Sequence, residues 1–248
     1  MTSKIGQLSA GPEIPTIEQQ RRFWDDWNDR NRRPGAMHPF MERQLGVALR
    51  VARRNGLNGG KILDIGCGTG WLGDALRGFG TVTGIDLSES AISQGRASYP
   101  ELRLICGDFL AQSDLGDSYD LALSADSLAH VADHAAFVAR VASLLRPGGT
   151  FLLMTQNPRV WNRISHALAP QGGLVVDRVP ASVIRQMLAP HFDVVEFTTI
   201  VPGGNRGILF WVRYVRGLAR VLGAGRLIDT TLERFGLGRE YVFVAAKR

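Results

Sequence analysis

The feature that most constrains the fold is Lys61-Ile-Leu-Asp-Ile-Gly-Cys-Gly-Thr-Gly70. Lys61 to Ile65 is a short apolar run and reads as a buried strand. Gly66, Gly68 and Gly70 follow on alternate positions, and a helical segment opens at Trp71. Glycines at this spacing let the backbone turn sharply and let a ligand approach with no Cβ in the way. A strand, a glycine turn and a helix in that order predict a nucleotide-like ligand above the sheet edge.

Downstream, short apolar runs alternate with helical segments. Strands are predicted at 61–65, 81–86, 102–106, 119–124, 150–155, 192–199 and 241–246, and helices at 71–78, 88–98, 134–145 and 180–189. Apolar strands joined by helices predict an α/β fold with a mostly parallel sheet covered on both faces. Arg146-Pro-Gly-Gly149 is expected to be a turn into the fifth strand, and Gly172-Gly173 a loop. Before this region, Met1 to Pro15 is expected to be a mobile arm. A helix should follow from Thr16 to Arg33, stopped by Pro34-Gly35, with Ile17, Phe23, Trp24 and Trp27 near one face. A second helix is predicted from Pro39 to Asn55, with Leu45, Leu49 and Ala52 inward.

The 248 residues suit one domain, 59–248, preceded by an arm and helical lid at 1–58 and carrying an insertion at 203–238. A net charge of +6 permits nucleic acid or an acidic membrane as a partner without requiring either. Cys67 and Cys106 lack the spacing of a disulfide framework or zinc site and read as small buried hydrophobes. No apolar run reaches the roughly 18 residues of a membrane span, and the first residues lack a signal-peptide core, so a reduced, cytoplasmic setting is expected.

Three carboxylates surround the glycine turn. Asp64 precedes it. Asp86 closes the second strand, where it can accept from both hydroxyls of a ribose. Asp108, in Cys106-Gly-Asp-Phe109, can accept from an adenine amino group while Phe109 borders the ring. Ser124 ends the fourth strand at the lip of the same crevice. The glycine spacing departs from the Gly-x-Gly-x-x-Gly of dinucleotide sites, and Asp64 beside the loop suits a cationic ligand better than a pyrophosphate.

With these residues in order, the sequence resembles the class I S-adenosylmethionine-dependent methyltransferases over roughly residues 59–200. Leu63 to Gly70 looks like their first motif, Gly84-Ile-Asp-Leu-Ser88 their second, and Gly107-Asp108-Phe109 and Leu144 to Gly149 the later ones. Ser127-Leu-Ala-His-Val131 resembles the segment after strand four. The similarity points to the small-molecule branch typified by ubiquinone-pathway and natural-product enzymes. It implies a Rossmann-like seven-stranded sheet with the last strand antiparallel, so that 241–246 lies beside 192–199. It also implies S-adenosyl-L-methionine as cofactor, bound by Asp64, Gly66, Cys67, Gly68, Gly70, Trp71, Asp86, Leu87, Asp108, Phe109 and Ser124, and no metal.

A small organic acceptor is expected, with O-, N- or C-methylation left open. His130 is the candidate general base, and a pocket-shaping role is its competitor. His134 reads as surface. Trp24, Trp27 and His38 are candidate acceptor contacts, with packing of the lid as the plainer role for the tryptophans. The amphipathic stretch 208–222, with Arg213, Arg216 and Arg220 at helical spacing, reads either as a helix capping the acceptor pocket or as one lying on an anionic membrane. RNA methylation and a non-catalytic cofactor-binding role are the alternatives. Nucleic acid is not expected, since strand four ends in Ser124-Ala-Asp-Ser127 rather than Asn/Asp-Pro-Pro-Tyr/Phe. The oligomeric state stays open.

Overall fold

The structure, a computed structural model, describes residues 14–31, 38–163, 174–202, 208–221 and 223–248. The predicted arm lies outside the described residues except for Ile14 and Pro15. Pro34-Gly35, the Gly172-Gly173 loop and the side chains of Arg213 and Arg220 also fall outside them.

Seven strands form one sheet: β1 Gly60–Ile65, β2 Gly80–Asp86, β3 Arg103–Cys106, β4 Tyr119–Ala125, β5 Leu145–Gln156, β6 Phe192–Pro202 and β7 Gly238–Lys247. Their order is β3-β2-β1-β4-β5-β7-β6. β7 enters between β5 and β6 and runs antiparallel to both, with Thr199 opposite Tyr241. The predicted sheet is therefore present, and 241–246 lies where expected.

Successive β1 residues feed opposite faces, which is why Ile62, Leu63 and Ile65 are all apolar instead of alternating with polar residues. Ile62 packs into the core beneath α2 (Pro39–Arg54), α3 (Trp71–Leu76) and α4 (Glu89–Ser98). Leu63 and Ile65 pack on the other side with α5 (His134–Leu144) and α7 (Ala181–Leu188); α6 is the single turn Pro158–Trp161. Truncating any of these fully buried side chains to alanine costs about 2–5 kcal/mol.

Three local expectations need correction. Residues 146–149 do not precede the fifth strand as a separate turn: Tyr119 pairs with Leu145 and Leu121 with Thr150, so 146–149 is an excursion inside β5, turned by Gly148 at φ +71°. The α2 face is rotated, with Gln44, Val47, Ala48, Val51 and Ala52 buried and Leu45 and Leu49 only flanking the core. Among its described residues the insertion holds two helices, α8 Ile208–Val221 and α9 Gly225–Arg234, where the sequence singles out one amphipathic stretch. α9 starts with no side-chain cap, and its few apolar residues leave little period to read.

The N-terminal helix α1, Ile17–Asn31, lies against α4. Asp25 accepts from the Ser88 hydroxyl at 2.7 Å and the Ser90 backbone N–H at 3.0 Å, and Asp29 accepts from the Ser90 hydroxyl. Two carboxylates of α1 thus sit over the electropositive N-terminus of α4, which fixes α1 beside the end of β2.

Candidate functional site

The carboxyl ends of β1, β2, β3 and β4 meet under α1 in a cavity of about 440 Å³, within the size range of small-ligand sites. Gly66 and Gly68 form part of its wall with φ of +71° and +56°. A Cβ on Gly66 would stand 1.8 Å from the Ser127 hydroxyl, which donates to the Ile65 carbonyl at 3.1 Å, so glycine is required by both conformation and space. Asp86 ties the turn to the next strand: Oδ2 accepts from Gly68 N–H at 2.8 Å and Oδ1 from Ser88 N–H at 2.9 Å. Asp108 Oδ1 accepts from Leu110 N–H at 3.0 Å and shapes the turn that presents Phe109.

Nine candidate residues line this cavity: Trp24, Trp27, Gly66, Gly68, Asp86, Leu87, Asp108, Phe109 and His130. Six do not. Asp64 is buried beneath the first turn of α3, with Oδ2 within 3.5 Å of where a Gly73 Cβ would be. Cys67 is buried near Gly84, Gly70 holds the left-handed N-cap of α3 against Leu102 and Leu104, and Trp71 begins that helix. Ser124 is buried within the sheet opposite Ile65. None of these five lines the cavity. His38 is exposed and N-caps α2 by accepting from Phe40 N–H at 3.2 Å, so it contributes to a helix start and not to the cavity.

The tryptophans do reach the cavity, on the α1 face that also carries Ile17, Gln20 and Asn28. Trp24 meets the His130 ring edge-to-face at 4.9 Å and Trp27 at 5.8 Å. His130 Nδ1 lies 2.7 Å from the Val175 carbonyl, which can only accept, so Nδ1 carries the hydrogen and Nε2 the lone pair. Burial lowers the His130 pKa below its ordinary value, which keeps the ring neutral near pH 7. His134, expected at the surface, is buried at the start of α5.

Residues not foreseen complete the site. Asp126, Ser127, Asp133, Gln156 and Trp161 share the wall. Asp126 has a left-handed φ of +63°, uncommon outside glycine, at the end of β4. Behind it lies a buried carboxyl pair. Gln44 donates to Asp126 Oδ2 at 3.3 Å and to Glu240 Oε1 at 2.7 Å, which holds the two acids side by side. Burial, the largest cause, pushes Asp126 up to about 6, and Arg239 and Arg178 pull against it. Burial and then the Asp126 charge hold Glu240 well above the carboxylate range. Both arginines also pack on Trp161, at 5.3 Å for Arg178 and 4.9 Å for Arg239. The one sequence signal for this cluster was a glutamate abutting the apolar run of β7.

The electrostatics of the cavity run against those of the chain. Net charge is +6, yet the wall carries Asp86, Asp108, Asp126 and Asp133 and, among the described residues, no lysine or arginine. Such a wall favours a cation and disfavours a phosphate.

Comparison with known proteins agrees with this geometry. Residues 62–149 match the methyltransferase domain family. A ubiquinone biosynthesis O-methyltransferase of Thiobacillus denitrificans is 38% identical over 129 residues, 49% of this chain and 54% of that protein. One from Idiomarina loihiensis is 34% identical over 166 residues, 64% and 66% of the two chains. For the first of these relatives the match spans about half their own length. Among solved structures, an S-adenosylmethionine-dependent methyltransferase from Mesorhizobium loti aligns with TM-score 0.57 and 21% identity, over 80% of this chain and 96% of that one. The N-methyltransferase NodS from Bradyrhizobium japonicum, solved with S-adenosyl-L-homocysteine, aligns with TM-score 0.59 and 16% identity over 94% and 96%. At these identities the structural likeness concerns the fold. Sheet order, glycine turn and matched domain converge on one sheet edge: residues 62–149 form a methyltransferase domain, on the fold shared with S-adenosylmethionine-dependent methyltransferases.

Proposed function

We propose that this protein transfers a methyl group from S-adenosyl-L-methionine to a small organic acceptor. The carrying observation is the cavity wall with four aspartates and, among the described residues, no basic side chain. The donor carries a sulfonium and an amino group and no phosphate, and this wall matches that charge, where NAD or an RNA backbone would meet repulsion. When bound, the donor supplies an activated methyl group on a good leaving group.

The chain's own residues bind, orient and move a proton. Gly66 and Gly68 admit close approach of the ligand, and Asp86 and Asp108 accept from its ribose and adenine ends. Asp64, Cys67, Gly70, Trp71 and Ser124 hold the turn in shape from behind. Trp24 and Trp27 form an aromatic wall for the acceptor and exclude water from it. His130, neutral and with its Nε2 lone pair available, takes the acceptor proton. Alignment of two reactants in one closed site supplies much of the acceleration for such a displacement. The named activity of the curated relatives supports a hydroxyl oxygen as the acceptor atom.

Calorimetry with S-adenosylmethionine and with NAD tests the cofactor, and transfer of labelled methyl into cell metabolite and RNA fractions tests the acceptor. Saturable S-adenosylmethionine binding with label in the metabolite fraction is expected. Tighter binding of NAD overturns the proposal. Binding without transfer to either fraction assigns a non-catalytic role.

A further inference from the structure

α8 and α9 place apolar side chains outward. Trp211, Tyr214, Val215, Leu218 and Val221 fall at intervals of three and four along α8, and each is between 54% and 84% exposed. They form one stripe. The opposite side is anchored. Ala219 is buried, and Arg216 pairs with Asp229 of α9 and donates to the Pro202 carbonyl at the end of β6. That ion pair fixes the rotation of α8, so the stripe is held away from the protein. None of these residues lines the cavity, and the pocket-capping reading of the segment gains no support.

α9 extends the surface with adjacent basic and apolar positions. Arg226 beside Leu227, and Arg234 beside Phe235, are all exposed. Between 208 and 235 the sequence has five arginines and two carboxylates, so the patch lies in a basic stretch. Among the described residues no helix is long and apolar enough to cross a membrane. An apolar stripe with an indole and a phenol, flanked by arginines on short helices, matches an interfacial element that lies in the plane of a bilayer. A second copy of the chain fits less well, because pairing the stripes would bring two basic surfaces together.

We propose that the α8–α9 hairpin docks the protein on an anionic lipid surface, with Trp211, Tyr214, Leu218 and Val221 entering the headgroup boundary and Arg226 and Arg234 meeting lipid phosphates. The proposal stands independently of the methyl acceptor. It is tested by sedimentation with phosphatidylcholine vesicles, with and without one-third phosphatidylglycerol, at low and high salt. Binding should appear with the anionic vesicles and weaken at least about tenfold with salt or without the anionic lipid. W211S/L218S should weaken it at least about tenfold while the melting temperature and S-adenosylmethionine affinity stay unchanged. V221S/L227S provides the same comparison if the first variant does not fold. Absence of binding to phosphatidylglycerol vesicles at low ionic strength overturns the proposal, as does wild-type binding by both variants. A lipid-free dimer, seen by sedimentation equilibrium and lost in W211S/L218S, assigns the stripe to a second copy instead and overturns it too.

Discussion

Asp126→Asn isolates the energetic consequence of the buried carboxyl pair. The Asp126 carboxyl rises from an ordinary 3.8 to about 6, chiefly through burial, with Gln44 as its hydrogen-bond donor, Glu240 beside it and Arg239 and Arg178 as the nearby positive charges. A carboxyl whose pKa is raised by folding binds its proton more tightly in the native state. The cost therefore develops as pH climbs from about 4 through about 6, and below both values it vanishes. At about 1.4 kcal/mol per tenfold change in the proton equilibrium, the ionised Asp126 costs the fold about 3 kcal/mol above pH 7. Asparagine keeps the shape: its oxygen can still accept from Gln44, and its amide can donate to Glu240. Urea unfolding should show the variant more stable than wild type at pH 7.5 by up to about 3 kcal/mol, with unchanged slope and the difference gone near pH 3.5. A variant less stable at pH 7.5 would refute the reasoning, because the arginines would then outweigh burial and Asp126 would be a stabilising carboxylate.

Two further substitutions separate the cofactor end from the acceptor end. Gly66→Ala forces a side chain into φ +71° and onto the Ser127 hydroxyl, so it should cost at least about 1–2 kcal/mol of stability and lower S-adenosylmethionine affinity at least about tenfold by calorimetry. Gly46→Ala, on α2 with nothing within 4 Å of the added carbon, should be neutral or slightly stabilising and serves as the control. Trp24→Leu removes the ring that meets His130 and should raise the acceptor KM about tenfold while cofactor affinity holds; equal loss of both would assign Trp24 to packing.

The parts legible in the sequence are those in which a local pattern has only one physical reading. Strands buried on both faces need apolar residues on both, so Ile62 to Leu63, Leu121 to Leu123 and Phe151 to Met154 stand out, and the glycine turn with Asp86 one strand later marks the ligand edge. Gln44 and Asp126 were not legible, because each looks like an ordinary surface residue until distant elements bring them against Glu240, whose place beside the apolar run of β7 names no partner. Gln44 also hid the true inner face of α2, since a buried amide breaks the apolar period that Val47, Ala48 and Val51 continue. Asp64, Cys67, Gly70, Trp71 and Ser124 belong to the right motifs, yet motif membership does not say which side of a turn faces the ligand. His38 was misplaced for a plainer reason: before Pro39 an imidazole is as good a helix cap as a pocket residue.

The place of β7 has a consequence for how the chain assembles. It follows every other strand in the sequence but lies inside the sheet, between β5 and β6. During synthesis β1 to β5 can pair as they emerge, whereas β6 has no neighbour in the sheet until residues 238–247 arrive. Pairing β6 with β7 requires loop closure across α8 and α9. Glu240 travels on that strand, so the acidic pair behind the cavity forms only with the final insertion. Nascent chains stopped before Gly238 should hold a five-stranded half with the glycine turn in place and β6 still unpaired.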